Sequence, residues 1–84
     1  MDLECQRQAR LVVTGMKQTI KAVLSGHARQ VYVARDADER VQRPVLEACV
    51  KMSVPVSFVD YMADLGKACG IKVGAATAAV LLEQ

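Results

Sequence analysis

Apolar residues in this chain fall into short β-branched runs separated by segments with helical spacing. Leu11-Val12-Val13 is the first run and ends at Thr14-Gly15, which predicts a short strand and a turn. Ile20, Val23 and Leu24 then recur at i, i+3 and i+4, predicting a helix from Met16 to Leu24 with those three on its buried face and Gly26 as its stop. Val31-Tyr32-Val33-Ala34 reads as a second strand, and the charged stretch Arg35 to Arg40 reads as a loop. Val41, Val45, Ala48, Cys49 and Met52 form one stripe of a helix over residues 41–52. Pro44 is then expected in its first turn, where a missing N–H has no helical partner. Val56 to Val59 follows Pro55 as a third strand, and Asp60 is the expected N-cap of a helix running through Leu65 to Cys69. Thr77 to Leu82, almost devoid of polar residues, predicts a last strand buried on both faces at the centre of a sheet. Residues 2–10 read as a short polar helix or helical turn in which only Leu3 and Ala9 could touch a core. Strands alternate with helices, which predicts the α/β class with helices on both faces of one sheet.

The 84 residues allow one domain, 1–84, and a chain of this size buries about 60% of its unfolded surface, enough for a single modest core. An apolar content of 52% without low-complexity tracts predicts a folded chain. Cys5, Cys49 and Cys69 are odd in number, with no C-x-x-C pair, so neither a disulfide framework nor a zinc site is expected. Reduced thiols, an acidic start (Met1-Asp2-Leu3-Glu4) unlike a secretory signal, and an apolar tail too short to span a bilayer point to a cytoplasmic protein without a membrane partner. Tyr32, Phe58 and Tyr61 are the only aromatic residues, which argues against recognition by an aromatic stacking platform.

Charge changes the picture more than composition does. Within a net charge of +2, residues 5–35 carry six basic residues and no acid, whereas residues 36–64 carry six acids against three basic residues. If the acid-free segments meet in the fold, they make one positive face suited to a polyanion.

One of those segments is Leu65 to Val80, in which Gly66, Gly70 and Gly74 fall four residues apart and the only charges are Lys67 and Lys72. Each glycine weakens a helix by roughly 0.5–1 kcal/mol relative to alanine, so backbone conformation or close approach governs this stretch. Gly70 is the expected left-handed cap of the preceding helix, leaving Ile71-Lys72-Val73-Gly74-Ala75 as an apolar loop. Ile71 and Val73 either plug the edge of the core or wait for a partner. The other segment opens at Gly15. A helix beginning there points unsatisfied N–H groups outward, a setting that attracts phosphate. Lys17 and Lys21 lie side by side four residues apart, and the Gln18 amide offers the donor and acceptor that suit a base edge.

These two segments resemble motifs of the kink-turn RNA-binding family of ribosomal proteins, the L-seven-Ae and L-thirty-e superfamily. Leu65 to Ala76 is similar to the family's LG-x-A-C/A-G-I-x-V-x-A-A signature, and Gly15 to Lys21 to its G-x-x-(E/Q)-T-x-K segment. The two occur in the family's order, about fifty residues apart, and match the short bacterial members best. The resemblance implies a three-layer α/β/α sandwich with a central four-stranded mixed sheet. It implies that Lys17, Gln18 and Lys21 reach the tandem sheared G·A pairs of a kink-turn, that Gly15 and Met16 belong to the same RNA-binding surface, and that Lys67 and Lys72 contact phosphate. Ile71, Lys72, Val73, Gly74 and Ala75 would pack against a base thrown out of its stack, and Asp38 matches an acidic position that can contact that nucleotide. Lys17-Gln18 stands where archaeal and spliceosomal members commonly have Asn-Glu. Gly74 stands where many relatives have Pro, which predicts a more mobile loop.

No carboxylate pair, nucleophile with a base, or phosphate-binding loop appears in the sequence, and the single histidine, His27, reads as a cap for helix carbonyls. Cys69 reads as a small core residue. The expectation is therefore a non-catalytic, monomeric protein without cofactor or metal. Its partner is a structured RNA containing a kink-turn, either ribosomal or regulatory, with the ribosome as one place of action. The alternative is a protein-interaction module of the translation machinery that uses the Ile71–Ala75 loop against a protein partner.

Overall fold

A computed structural model describes residues 11–82, and the reading of residues 2–10 as a helical segment lies outside them. The elements run β1 (Val12–Thr14), α1 (Met16–Leu24), β2 (Ala28–Ala34), α2 (Glu39–Met52), β3 (Val56–Val59), α3 (Met62–Ala68) and β4 (Thr77–Leu81). The four strands form one mixed sheet in the order β1-β4-β2-β3. β4 pairs antiparallel with both β1 and β2, and β2 pairs parallel with β3. The last strand thus takes the central place its lack of polar residues predicts.

Pleating sends alternate residues of each strand to opposite faces. Val31, Val33 and Ala79 pack under α1 and α2 together with Ala22, Val23, Val45, Ala48 and Cys49. Ala34 and Ala78 pack on the other face with Leu65 of α3, Ala37 and Ala75. The result is the expected three-layer sandwich, with two of the described helices on one face and one on the other. Alanines at 78 and 79, both fully buried, leave room for helices to approach β4 from either side.

Local chemistry moves several boundaries. On α1 the buried residues are Thr19, Ala22 and Val23, while Leu24 turns outward and is 49% exposed. α2 starts two residues before the hydrophobic stripe. The Asp38 carboxylate accepts from the Arg40 N–H at 2.8 Å and caps the helix, so Pro44 lies in the second turn and removes one helical N–H donor there. Val41 is only half-buried and Met52 is exposed. Asp60 does not cap α3. The N-cap is Tyr61, which supplies no side-chain bond, and the first N–H of the helix, that of Met62, donates instead to Asp36 Oδ1 at 2.8 Å. Asp60 faces Arg35 at 3.4 Å. His27 caps no carbonyl with its ring: Nδ1 lies 2.8 Å from the Ser25 hydroxyl, which itself donates to Ala22 O.

The topology gathers particular loops. With β1, β2 and β3 running one way and β4 the other, one edge of the sheet collects the exits of the first three strands and the entry to β4. Gly15, residues 35–38 and residues 71–76 all lie at that edge.

Candidate functional site

α1 begins where the backbone is forced into a conformation that suits glycine. Gly15 has φ of 92°, its N–H donates to Thr77 O at 3.0 Å, and its carbonyl accepts the first helical bond from Thr19 N. No side chain caps the helix and no acid lies in its first turn. Lys17, Gln18 and Lys21 are exposed, while Met16 is half-buried against the core. Thr19 faces inward and is fully buried, as is Thr77, whose hydroxyl donates to the Thr19 hydroxyl at 3.1 Å. A backbone bond and a buried hydroxyl pair therefore fix the opening of α1 to the first residue of β4, directly behind the 71–76 loop.

That loop begins as a Schellman motif. Ile71 N donates to Gly66 O and Gly70 N to Lys67 O, each at 3.0 Å, with Gly70 at φ of 79°. The hydrophobic contact that accompanies such motifs is Ile71 packing in the cluster that holds Leu65. Two further bonds tie the loop's far end: Ala75 N donates to Met62 O at 3.0 Å, and Ala34 N to Ala76 O at 2.9 Å. Gly66 is buried beneath the middle of the loop, where a Cβ would lie 2.0 Å from Val73 O. Gly74 rests on Met62, 3.2 Å from a Cβ at that position to the Met62 Cβ. The mobility expected from Gly74 thus meets a loop strapped along α3. The apolar pair that looked anomalous in sequence divides: Ile71 is half-buried and plugs the core edge, whereas Val73 is 71% exposed. Lys67, Lys72 and Gly74 are exposed, and Ala75 is buried.

The third segment follows β2. Gln42 Nε2 donates into three carbonyls, those of Ala37, Arg35 and Ala34, at 2.8, 3.1 and 3.3 Å, and so draws the turn onto α2. Asp38 is exposed, and its carboxylate is committed to its own helix through Arg40 N and the Arg40 guanidinium at 3.1 Å. These hydrogen bonds from the Arg40 side chain, and then from its backbone, hold its pKa below the usual carboxylate value.

Fold geometry brings Lys17, Gln18, Lys72 and Val73 to one edge of the sheet through the bonds at Thr77, with Asp38 at the neighbouring strand exit. Lys21 stands one helical turn further along α1, and Lys67 on α3. Among the described residues the ion pairs are Arg35–Asp60, Arg40–Asp38 and Arg43–Glu39, so none of these four lysines is paired with a described acid. Two of the three pairs lie within the acidic half of the chain, and the third draws on Arg35 from the basic segment. Sequence reading missed Asp36, Gln42 and Met62, whose parts depend on partners five or more residues away. Thr19 carried one available signal, a polar residue on an otherwise apolar helix face. Cys49 and Cys69 both have thiol pKa values raised by burial, which suits packing and not reactivity.

Residues 2–84 match the family described as Ribosomal protein L7Ae/L30e/S12e/Gadd45 family. An RNA-binding protein of Caldanaerobacter subterraneus subsp. tengcongensis is 51% identical over 67 residues, spanning 80% of this chain and 82% of that protein. Large ribosomal subunit protein eL8 of Halobacterium salinarum is 36% identical over 80 residues, 94% of this chain and 67% of that protein. Among solved structures, the Giardia lamblia 15.5kD RNA binding protein superposes with a TM-score of 0.81 at 27% identity, covering 95% of this chain and 69% of that one.

Proposed function

The chain belongs to the Ribosomal protein L7Ae/L30e/S12e/Gadd45 family, and we propose that it is a non-catalytic, cytoplasmic RNA-binding protein that stabilises the kinked form of a kink-turn. The observation that carries this reading is the junction at Thr77, which ties the basic, uncapped start of α1 to the strand that follows the strapped loop bearing the exposed Val73. Relatives whose names declare RNA binding support its coarser part, and the eL8 relative is consistent with ribosomal RNA as one target.

The chemistry divides along the two segments. First-turn N–H groups of α1, with Lys17, Lys21, Lys67 and Lys72, take phosphates and position the RNA. Gln18 hydrogen-bonds a base edge of the sheared G·A pairs, where its amide can give and accept. Val73 covers the face of the extruded base. Asp38 keeps acceptor capacity beyond its bonds to Arg40, since a carboxylate offers about four lone-pair sites, and it stands ready for that same nucleotide. The protein acts by population shift: the kinked conformer exists without it and is favoured to the extent that it is bound more tightly.

The test is a titration of the protein into a kink-turn RNA labelled on both helical arms, in magnesium-free buffer, read by energy transfer. Transfer should rise for the intact motif and stay flat for a variant with disrupted G·A pairs. Equal binding to both without kinking would reduce the site to a generic basic surface. An interaction insensitive to salt would favour an apolar contact with a protein, because phosphate contacts weaken steeply with ionic strength.

A further inference from the structure

The two loops that flank the edge of the sheet, residues 35–38 and 71–75, share one anchor. Asp36 Oδ1 accepts the Met62 N–H at 2.8 Å, and Met62 O accepts the Ala75 N–H at 3.0 Å. The Met62 Cβ is also the nearest atom to a side chain at Gly74, within 3.2 Å. Met62 is the first residue of α3, where an N–H has no partner inside the helix, and the Tyr61 N-cap offers no side-chain acceptor. α3 is only seven residues long, so its first turn depends on outside bonds for its position. Asp36 supplies one from 26 residues upstream.

We propose that Asp36 is a positioning residue for RNA recognition, setting the placement of Val73 through Met62 and the Ala75 amide. This rests on the kink-turn reading above. Asp36 is exposed at the site edge but its acceptor points to α3, so its part is to hold the loop and not to touch RNA. An acid at this place works against a polyanion on charge alone. Its carboxylate is accounted for by the bond it makes.

That opposition gives the test its discrimination. Asp36→Ala removes charge and acceptor together, whereas Asp36→Asn removes the charge and keeps the oxygen. In Asp36→Ala, affinity for the intact kink-turn should fall about fivefold, the worth of one helix cap. Affinity for plain duplex should hold or rise, because a negative charge has been lost. Asp36→Asn should restore kink-turn binding. A purely electrostatic role would raise affinity for both RNAs in both variants and would overturn the proposal.

Amide hydrogen exchange at Ala75 supplies a readout that needs no RNA. Protection there should fall in Asp36→Ala and return in Asp36→Asn, with amides of β4 unchanged. Unaltered Ala75 protection in Asp36→Ala refutes the coupling even if the parent protein binds no kink-turn. Loss of protection without loss of affinity, in a protein that does bind, refutes the part assigned to Asp36 in recognition. A parent protein that fails to distinguish the intact from the G·A-disrupted RNA defeats the kink-turn reading instead.

Discussion

The start of α1 and the 71–75 loop meet at the same edge of the sheet, yet they are held there by different means. α1 opens from a strand whose ladder already fixes it: Gly15 continues the β1–β4 pairing with a bond to Thr77 O, and the helix follows from that point. The loop has no ladder. Its course is imposed by α3, through the Schellman bonds at one end, the Met62 carbonyl at the other, and the bare backbone of Gly66 beneath it. Chemistry that needs only a helix end can be carried by local sequence, whereas an exposed apolar residue on a loop has to be held by something else.

Gly66→Ala attacks the loop side of this comparison hardest. A methyl group 2.0 Å from Val73 O must displace the loop, so stability should drop by about 3 kcal/mol despite the better helix propensity of alanine. Urea denaturation measures it, and a variant as stable as its parent would show that the loop rides loosely on α3. On the α1 side, Gln18→Ala should leave stability unchanged but weaken kink-turn binding by about 2 kcal/mol and reduce its preference over duplex. Equal loss on both RNAs would remove Gln18 from the reading of bases.

The joint between the two regions is tested by Thr77→Val, which leaves the buried Thr19 hydroxyl without its donor and should cost about 1–2 kcal/mol. Adding Thr19→Val removes both polar groups, and thermal unfolding should show most of the loss recovered. A double variant as unstable as the sum of the singles would mean that the hydroxyl pair is not the bond that matters.

The smallest effect belongs to Asp38. The Arg40 hydrogen bonds hold its pKa below the usual carboxylate value, so ionised Asp38 adds stability above the unfolded-chain value, and the contribution fades as pH falls through the lowered folded value. The melting-temperature gap between the parent and Asp38→Asn should be present at neutral pH and close in strong acid. A gap that persists there would assign Asp38 a role unrelated to its charge.

Much of the fold was legible because it depends on neighbours in sequence. α1 and β3 have the bounds that hydrophobic spacing predicts, and β4 lies at the centre as its apolar composition requires. The errors share a cause. Asp60 looks like an N-cap because it precedes a helix, but the acceptor for α3 arrives from Asp36 on another loop. Pro44 looked like a first-turn proline because the hydrophobic stripe begins at Val41, while the Asp38 cap starts the helix earlier. Ile71 and Val73 were indistinguishable as letters, and only packing against Leu65 assigns one to the core and the other to solvent.

By itself, then, the sequence determined the alternation of strands and helices, the two acid-free basic segments, and the left-handed turn at Gly70. Each of these follows from side-chain hydrophobicity, charge and backbone freedom within a few residues. Tertiary structure alone decided that the two segments share an edge, that a buried pair of threonines 58 residues apart joins them, and that Gly66 is empty so that Val73 can lie above it. Those outcomes depend on strand order and on distances below 4 Å between remote parts of the chain, which no local pattern encodes.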